Sequence, residues 1–347
     1  MRRIRALLAL ALGVGVASAT SASGSTAATG AQPPQFIVVS FDGGGNIDAW
    51  KRFRSVMNDT DSTMTVFLSG VYALPEQKAY LYDPPGHPRG TSAIGFSAAE
   101  NVLPRMEQVR LAHAEGDEIG THFNGHFCDA TGEGSWTTTQ WLSDISQAKG
   151  FLDHWRVNSG NTAAAPLGWN SSEIVGGRTP CLDGRSDQLF PAEVQSGFRY
   201  DSSREGTLRW PTRMSDGLWE IPMQDLRMAG SGRYVLSMDY NFYDAQSGAT
   251  ETSPSNYAAL RSQYLQTIRN AYTAVDHGNR APLVLGNHWS PFNGGIYLDA
   301  LEQFLRETCD QPNTRCVSFE QLTNWMEAQP ASTLAALQAR GTQSMSY

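Results

Sequence analysis

The chain has 347 residues, 40% of them hydrophobic, and a formal net charge of −8. That length buries a substantial core, as one large domain or two small ones. The acidic balance, with no basic stretch to draw in phosphates, excludes a general nucleic-acid binder and leaves a neutral, cationic or small partner.

Arg2, Arg3 and Arg5 precede an apolar run from Ala6 to about Ala17, and small residues follow, with Ala17-Ser18-Ala19 as a cleavage site. This order predicts a secretory signal over 1–19, and the apolar run is too short for a membrane span. Residues 20–34 hold few large apolar groups and read as a flexible spacer. One domain is expected over 35–330, then a tail over 331–347 made of a helix fragment and a frayed end. Export changes the meaning of the four cysteines, which are expected as two disulfides. Cys309 and Cys316 are close enough to pair across a loop, which leaves Cys128 with Cys181. None has the CxxC spacing of a zinc or redox site.

Along the chain, short apolar runs alternate with amphipathic stretches. FIVVSF (36–41) is a continuous apolar run ending at glycines, as a buried strand requires, and 63–68 is a second. Ser97-Ala98-Ala99-Glu100 reads as a capping box opening a helix to about Ala114, and Gly116 stops it. A short strand follows at 118–120. A helix is expected over 136–154, with Trp141, Ile145, Ala148 and Leu152 on one face. Strands are expected at 173–176, 197–201, 218–223 and 233–238, a long helix at 256–277, and a buried strand at 282–289. A helix near 297–308, a strand at 316–319 and a short helix from Glu320 complete the pattern. Strands alternating with helices predict an α/β fold with a largely parallel sheet or barrel.

In such folds function gathers at the carboxyl ends of the strands. Those ends carry Asp42, then His122 to His126, Arg178-Thr179-Pro180, Asp201-Ser202-Ser203, and Asn287-His288-Trp289. Two carboxylates, three of the chain's seven histidines and an arginine therefore share one rim if the fold is right. Imidazole is a good ligand for zinc and similar ions, and His122 and His126 have a spacing that brings two rings together. A histidine pair at that spacing is also a common capping or core feature. Gly43–Gly45 could cradle a phosphate, but no P-loop lysine follows. Ser202, His288 and Asp42 could form a triad, but no nucleophile-elbow sequence supports it. Trp136, Trp210 and Trp289 could stack on sugars, although most tryptophans are core residues.

These segments resemble the NodB-type polysaccharide deacetylases, metal-dependent hydrolases that remove acetyl groups from amino sugars. SFDGG (40–44) stands where that family has TFDDG, and HFNGH (122–126) where it has H-[ST]-x-x-H. RTPC (178–181) stands where it has R-x-P-[YW], and YDSS (200–203) and LGNHW (285–289) match its fourth and fifth motifs. GLWEIPMQDL (217–226) and the closing stretch before Met326 look like the chitin-deacetylase-like branch. The resemblance spans nearly all of 36–328 and implies a distorted (β/α) barrel of the NodB-homology type with a divalent metal, usually zinc, at its rim. It implies Asp42 as general base, Arg178 holding it, His288 as general acid with Asp201 tuning it, and His122 and His126 as metal ligands. Thr179 and Trp289 would meet the substrate.

Two departures stand out. The family's second aspartate, a metal ligand, falls on Gly43, so two imidazoles remain unless Asp42, Asp48, Asp129 or water completes the shell. The aromatic residue of the third motif is Cys181, whose bond to Cys128 would staple two motifs together. Two readings follow. One is a secreted or cell-wall-associated deacetylase acting on a chitin- or peptidoglycan-like glycan. The other is a weak or inactive relative that binds glycan in the same groove. Neither calls for nucleic acid, a membrane span or more than a monomer.

Overall fold

The computed structural model describes residues 32–345, so the expected signal segment and all but the end of the spacer lie outside the described residues. The strands are β1 (Gln35–Gly43), β2 (Thr65–Leu68), β3 (Glu118–Thr121), β4 (Gly176–Gly177), β5 (Tyr200–Asp201), β6 (Glu205–Gly206), β7 (Thr212–Arg213), β8 (Trp219–Glu220), β9 (Met223–Arg227), β10 (Tyr234–Leu236), β11 (Leu283–His288) and β12 (Thr314–Val317). The helices are α1 (Ile47–Asp59), α2 (Ala99–Glu115), α3 (Thr138–Asp153), α4 (Trp155–Ser159), α5 (Ser186–Gln195), α6 (Asp239–Ser247), α7 (Tyr257–Asp276), α8 (Phe292–Thr308), α9 (Phe319–Glu327) and α10 (Ala331–Gln338).

The main sheet runs β11-β1-β2-β3-β4-β5-β8-β7, parallel throughout except for the last pair. β12 joins the first half of β1, on Gln35–Val38, while β2 takes Ser40–Gly43. Every residue of β1 but Gly43 is buried, which is why its sequence is continuously apolar rather than alternating. The sheet curls into a distorted (β/α) barrel. Its seam lies between β9 and β11, and a side chain bridges it: the Gln224 amide donates to Pro282 O at 2.8 Å and accepts from Val284 N at 3.0 Å. A backbone bond from Gly286 N to Ser237 O, 2.8 Å, ties the far end of the same seam.

Several local expectations change. Ser97 does not cap α2; its hydroxyl donates to Tyr72 O at 2.7 Å and accepts from the buried Arg105 guanidinium, so the capping box is not made. The box instead occurs at α3, where Thr137 and Gln140 exchange bonds. Residues 171–173 form a turn of 3-10 helix, and the strand begins only at Gly176. The C-terminal end is docked rather than frayed: Gln343 N donates to Leu208 O, Asn279 Nδ2 to Gly341 O, and Met345 is buried. Both expected disulfides are present, Cys128–Cys181 and Cys309–Cys316.

Candidate active site

Strand register assembles the rim. Asp42 pairs with His288, Gly43 with Leu68, Leu68 with Thr121, Thr121 with Gly177, and Gly177 with Asp201. Asp42 itself pairs with Phe67, so Ser69, His122, Arg178 and Ser202, each one residue beyond the row that pairs with Gly43, stand just past Asp42 at the same rim. A cavity of ≈ 370 Å³ opens there, and its walls include Asp42, Gly43, Ser69, His122, His126 and His288.

Asp42 is fixed by Arg178. The guanidinium is fully buried and donates from Nη1 to Asp42 Oδ1 at 3.0 Å and to Ser40 Oγ at 2.8 Å. Nη2 donates to Ser202 Oγ at 2.9 Å, and the cation lies 4.7 Å from the Phe67 ring centroid. A buried charge without such partners would be expensive, so the pair holds together as a unit. Ser202 is spent on Arg178 and is fully buried, which removes it as a nucleophile. The buried Arg105 takes the carbonyls of Gly44 and Gly45 from behind, at 2.8 and 3.3 Å. Gly43 has φ +91°, a conformation that an L side chain adopts only with strain.

His288 faces Asp42 across the β1–β11 ladder and is held by a residue the sequence reading missed. Asp239, at the start of α6, meets His288 Nδ1 with Oδ1 at 2.7 Å and accepts the His288 backbone N–H on Oδ2 at 2.8 Å. Burial works against the imidazolium, but the Asp239 carboxylate outweighs it and lifts the pKa of His288 above the ordinary histidine value. Asp201, expected in this role, does not touch His288. It sits beneath Arg178's loop, where Ser203 N and Oγ donate to it at 2.9 and 2.5 Å, and Ser203 Oγ accepts from Thr179 N. Burial raises the Asp201 pKa, and Glu193 beside it is raised further by burial and by that neighbour. Asp239 directly follows the expected strand at 233–238, so reading that strand's end like the others would have found it.

His122 and His126 reach the same cavity, with ring centroids 5.4 Å apart. Burial pushes His122 down to about 3, and burial also lowers His126, so both rings are neutral, as metal ligands must be. The Arg178 carbonyl lies 2.8 Å from His122 Nδ1, which fixes the ring and leaves Nε2 as the donor atom. These two residues fit a divalent metal. A catalytic zinc takes about three protein ligands, and Gly43 cannot supply the third. Among the described residues, the one trio of possible donors within 4.8 Å of one another is His126, Cys128 and Cys181, and its sulfurs are joined in the disulfide. Asp48 belongs to the first turn of α1 and bonds Lys51, and Asp129 accepts from Thr131 at 2.8 Å; neither lines the cavity.

The expected substrate contacts need correction. Thr179 is fully buried and absent from the cavity wall. Trp289 reaches the wall but is 3% exposed, stacked on Trp50 at 4.4 Å and on Phe41 at 4.3 Å, so it has no free face for a sugar. Trp136 and Trp210 are core residues.

No protein-family model matches the chain, and no curated protein matches it in sequence. Solved structures do. A Mycobacterium smegmatis protein assigned as a polysaccharide deacetylase superposes over 91% of this chain and 96% of its own, at 14% identity and a TM-score of 0.55. The peptidoglycan deacetylase PdaC from Bacillus subtilis covers 87% of this chain and 96% of its own, at 13% identity and a TM-score of 0.45. BA3943 from Bacillus anthracis, described as a CE4 family pseudoenzyme, covers 84% and 66%, at 8% identity and 0.43. The first of these shows that the chain has the polysaccharide-deacetylase fold.

Proposed function

We propose that the protein is a secreted or cell-wall-associated hydrolase that removes acetyl groups from an N-acetylated glycan of chitin or peptidoglycan type. The observation that carries this reading is the convergence of two charge-paired dyads, Asp42–Arg178 and His288–Asp239, on one cavity with two neutral imidazoles between them. Asp42 takes a proton from water as its oxygen bonds to the acetyl carbon. Arg178 keeps that carboxylate in one orientation. His288, charged through Asp239, gives a proton to the amide nitrogen as the C–N bond breaks, leaving acetate and a free amine. A divalent metal on His122 and His126, zinc in the first instance, would polarise the carbonyl and acidify the water.

The place of the missing carboxylate at Gly43 favours a second reading, a glycan-binding protein with weak or no turnover. Elemental analysis of the dialysed protein, together with acetate release from chitin-type and peptidoglycan-type substrates, separates the two. Near-stoichiometric zinc, lost in His122→Ala, and acetate release are the expected results. A wild type with neither zinc nor acetate release sinks the hydrolase.

A further inference from the structure

One disulfide lies against an imidazole of the rim. In HFNGHFC (122–128) Cys128 stands two residues after His126, and Cys128 Sγ, bonded to Cys181, is 3.6 Å from His126 Nδ1. Among the described residues, His126, Cys128 and Cys181 are the one group of possible metal donors whose atoms all lie within 4.8 Å of one another. Both of these cysteines are exposed, whereas Cys316 of the other disulfide is buried. An exposed disulfide is open to attack by an external thiolate, and a buried one is shielded from it. The spacing also suits a tetrahedral zinc. Zn–N and Zn–S bonds of about 2.05 and about 2.3 Å place a nitrogen and a sulfur on one ion about 3.6 Å apart, and two sulfurs about 3.8 Å apart. The first of these separations is already present. The second requires the sulfurs to part, which side-chain rotation accommodates over a Cα–Cα span of 6.2 Å.

We propose that reduction of Cys128–Cys181 turns these two cysteines and His126 into a zinc site of their own. The inference does not rest on the glycan reading. An external dithiol supplies two electrons and closes to its own disulfide, while the Sγ–Sγ bond breaks and each sulfur takes a proton. Zinc then displaces both protons and binds two thiolates and His126 Nδ1, with water in the fourth position. This ligand set shares only His126 with the imidazole pair of the cavity. Thiolates are soft donors that select zinc over the harder divalent ions, so the site has a metal preference that carboxylates would not give it. The chain that lacks a carboxylate at Gly43 therefore carries two further donors beside the same ring, locked together in the oxidised state. Because His126 also lines the cavity, metal held by the thiolates competes with metal held there.

The test uses the intact protein with and without a phosphine reductant, which is oxidised to the phosphine oxide and leaves no competing thiol. Zinc and cobalt(II) are the probes. Reduction is expected to tighten zinc binding by about tenfold or more, and to give the cobalt-loaded protein a thiolate-to-metal charge-transfer band that the oxidised form lacks. Cys309→Ser/Cys316→Ser, whose one remaining disulfide is the exposed one, should respond in the same way. Cys128→Ser/Cys181→Ser should show neither the gain nor the band. His126→Ala keeps both cysteines and should lose most of the gain, which separates a folded site from thiols freed in an unfolded chain. His122→Ala, expected to lose the cavity metal, should keep the site in the reduced protein, so the two metal readings fail separately. A reduced wild type with no gain and no band overturns this inference and leaves the hydrolase reading standing. A gain that survives in His126→Ala also overturns it, since the thiols would then hold zinc without the ring.

Discussion

The two halves of the rim are built on opposite terms. In one, Asp42 and Arg178 have side chains 3% and 0% exposed, and the guanidinium is bound by two hydroxyls and a carbonyl as well as by the carboxylate. In the other, Asp239 is fully buried but the His288 side chain keeps 27% of its surface, and one carboxylate sets its charge. The first half fixes geometry: neither partner can leave without stranding a charge in the interior. The second half sets a protonation state and keeps the ring within reach of a substrate. A base that must point one way and an acid that must exchange protons with its surroundings call for these two different environments.

The sharpest way to break this contrast is Arg178→Ala. It strands Asp42 and opens the space over Phe67, and a loss of about 3–5 kcal/mol is expected in urea unfolding, with activity abolished. A loss below about 1 kcal/mol would mean that water replaces the guanidinium and that the buried half is no more rigid than its partner.

Asp239→Asn comes next. An amide can accept from the His288 backbone but carries no charge to favour the imidazolium, so burial is no longer outweighed by a carboxylate hydrogen-bonded to the ring and the pKa falls below the wild-type value. The sign is fixed by the raised wild-type pKa. The imidazolium's stabilisation is fully present below the ordinary histidine value and is lost as pH rises through the raised one. The variant should therefore lose about 2 kcal/mol of stability at acidic pH and less at alkaline pH, and the basic limb of its rate profile should move to lower pH. A basic limb that stays in place would remove His288 as the acid.

Gly43→Asp sharpens the contrast from the other side. Room is available, since a Cβ there meets nothing nearer than Tyr72 Cε2 at 3.7 Å, but φ +91° strains any L residue. A cost of about 1–2 kcal/mol is expected, with more zinc retained on dialysis. Lost stability without added zinc would show that the strand end cannot aim a carboxylate at the imidazoles.

Much of this was legible in the sequence, for physical reasons. The apolar run over 36–41 can only be a strand covered on both faces, and parallel register then forces Asp42 and His288 to be neighbours. Arg178 was legible as Asp42's partner through the resemblance of RTPC to the family's third motif, and the two do meet at adjoining strand ends. What escaped were the contacts made across elements. The choice between Asp201 and Asp239 depends on which strand end leans toward β11, and a Met238–Gly286 bridge decides it. Whether a tryptophan is a platform or a filler depends on its neighbours, and Trp50 and Phe41 are distant from Trp289 in the chain. Ser97-Ala98-Ala99-Glu100 has the letters of a capping box, but a buried arginine from the same helix competes for the hydroxyl and wins.

The smallest expected effect is also the most discriminating. Asp201→Asn removes a carboxylate that sits under the Arg178 loop and is absent from the cavity wall. Burial raises its pKa, so whatever stability the protonated group adds is present at low pH and is lost as pH rises through the raised value. An amide carries no charge to desolvate, but it gives up one of the two bonds from Ser203. The two effects oppose each other, and the net change at neutral pH is expected within about 1 kcal/mol. The basic limb of the rate profile should stay at its wild-type position, because His288 takes its charge from Asp239. A limb that moved with Asp201→Asn and not with Asp239→Asn would transfer the tuning role back to the buried half, and the division between a rigid base and a titrating acid would no longer describe this rim.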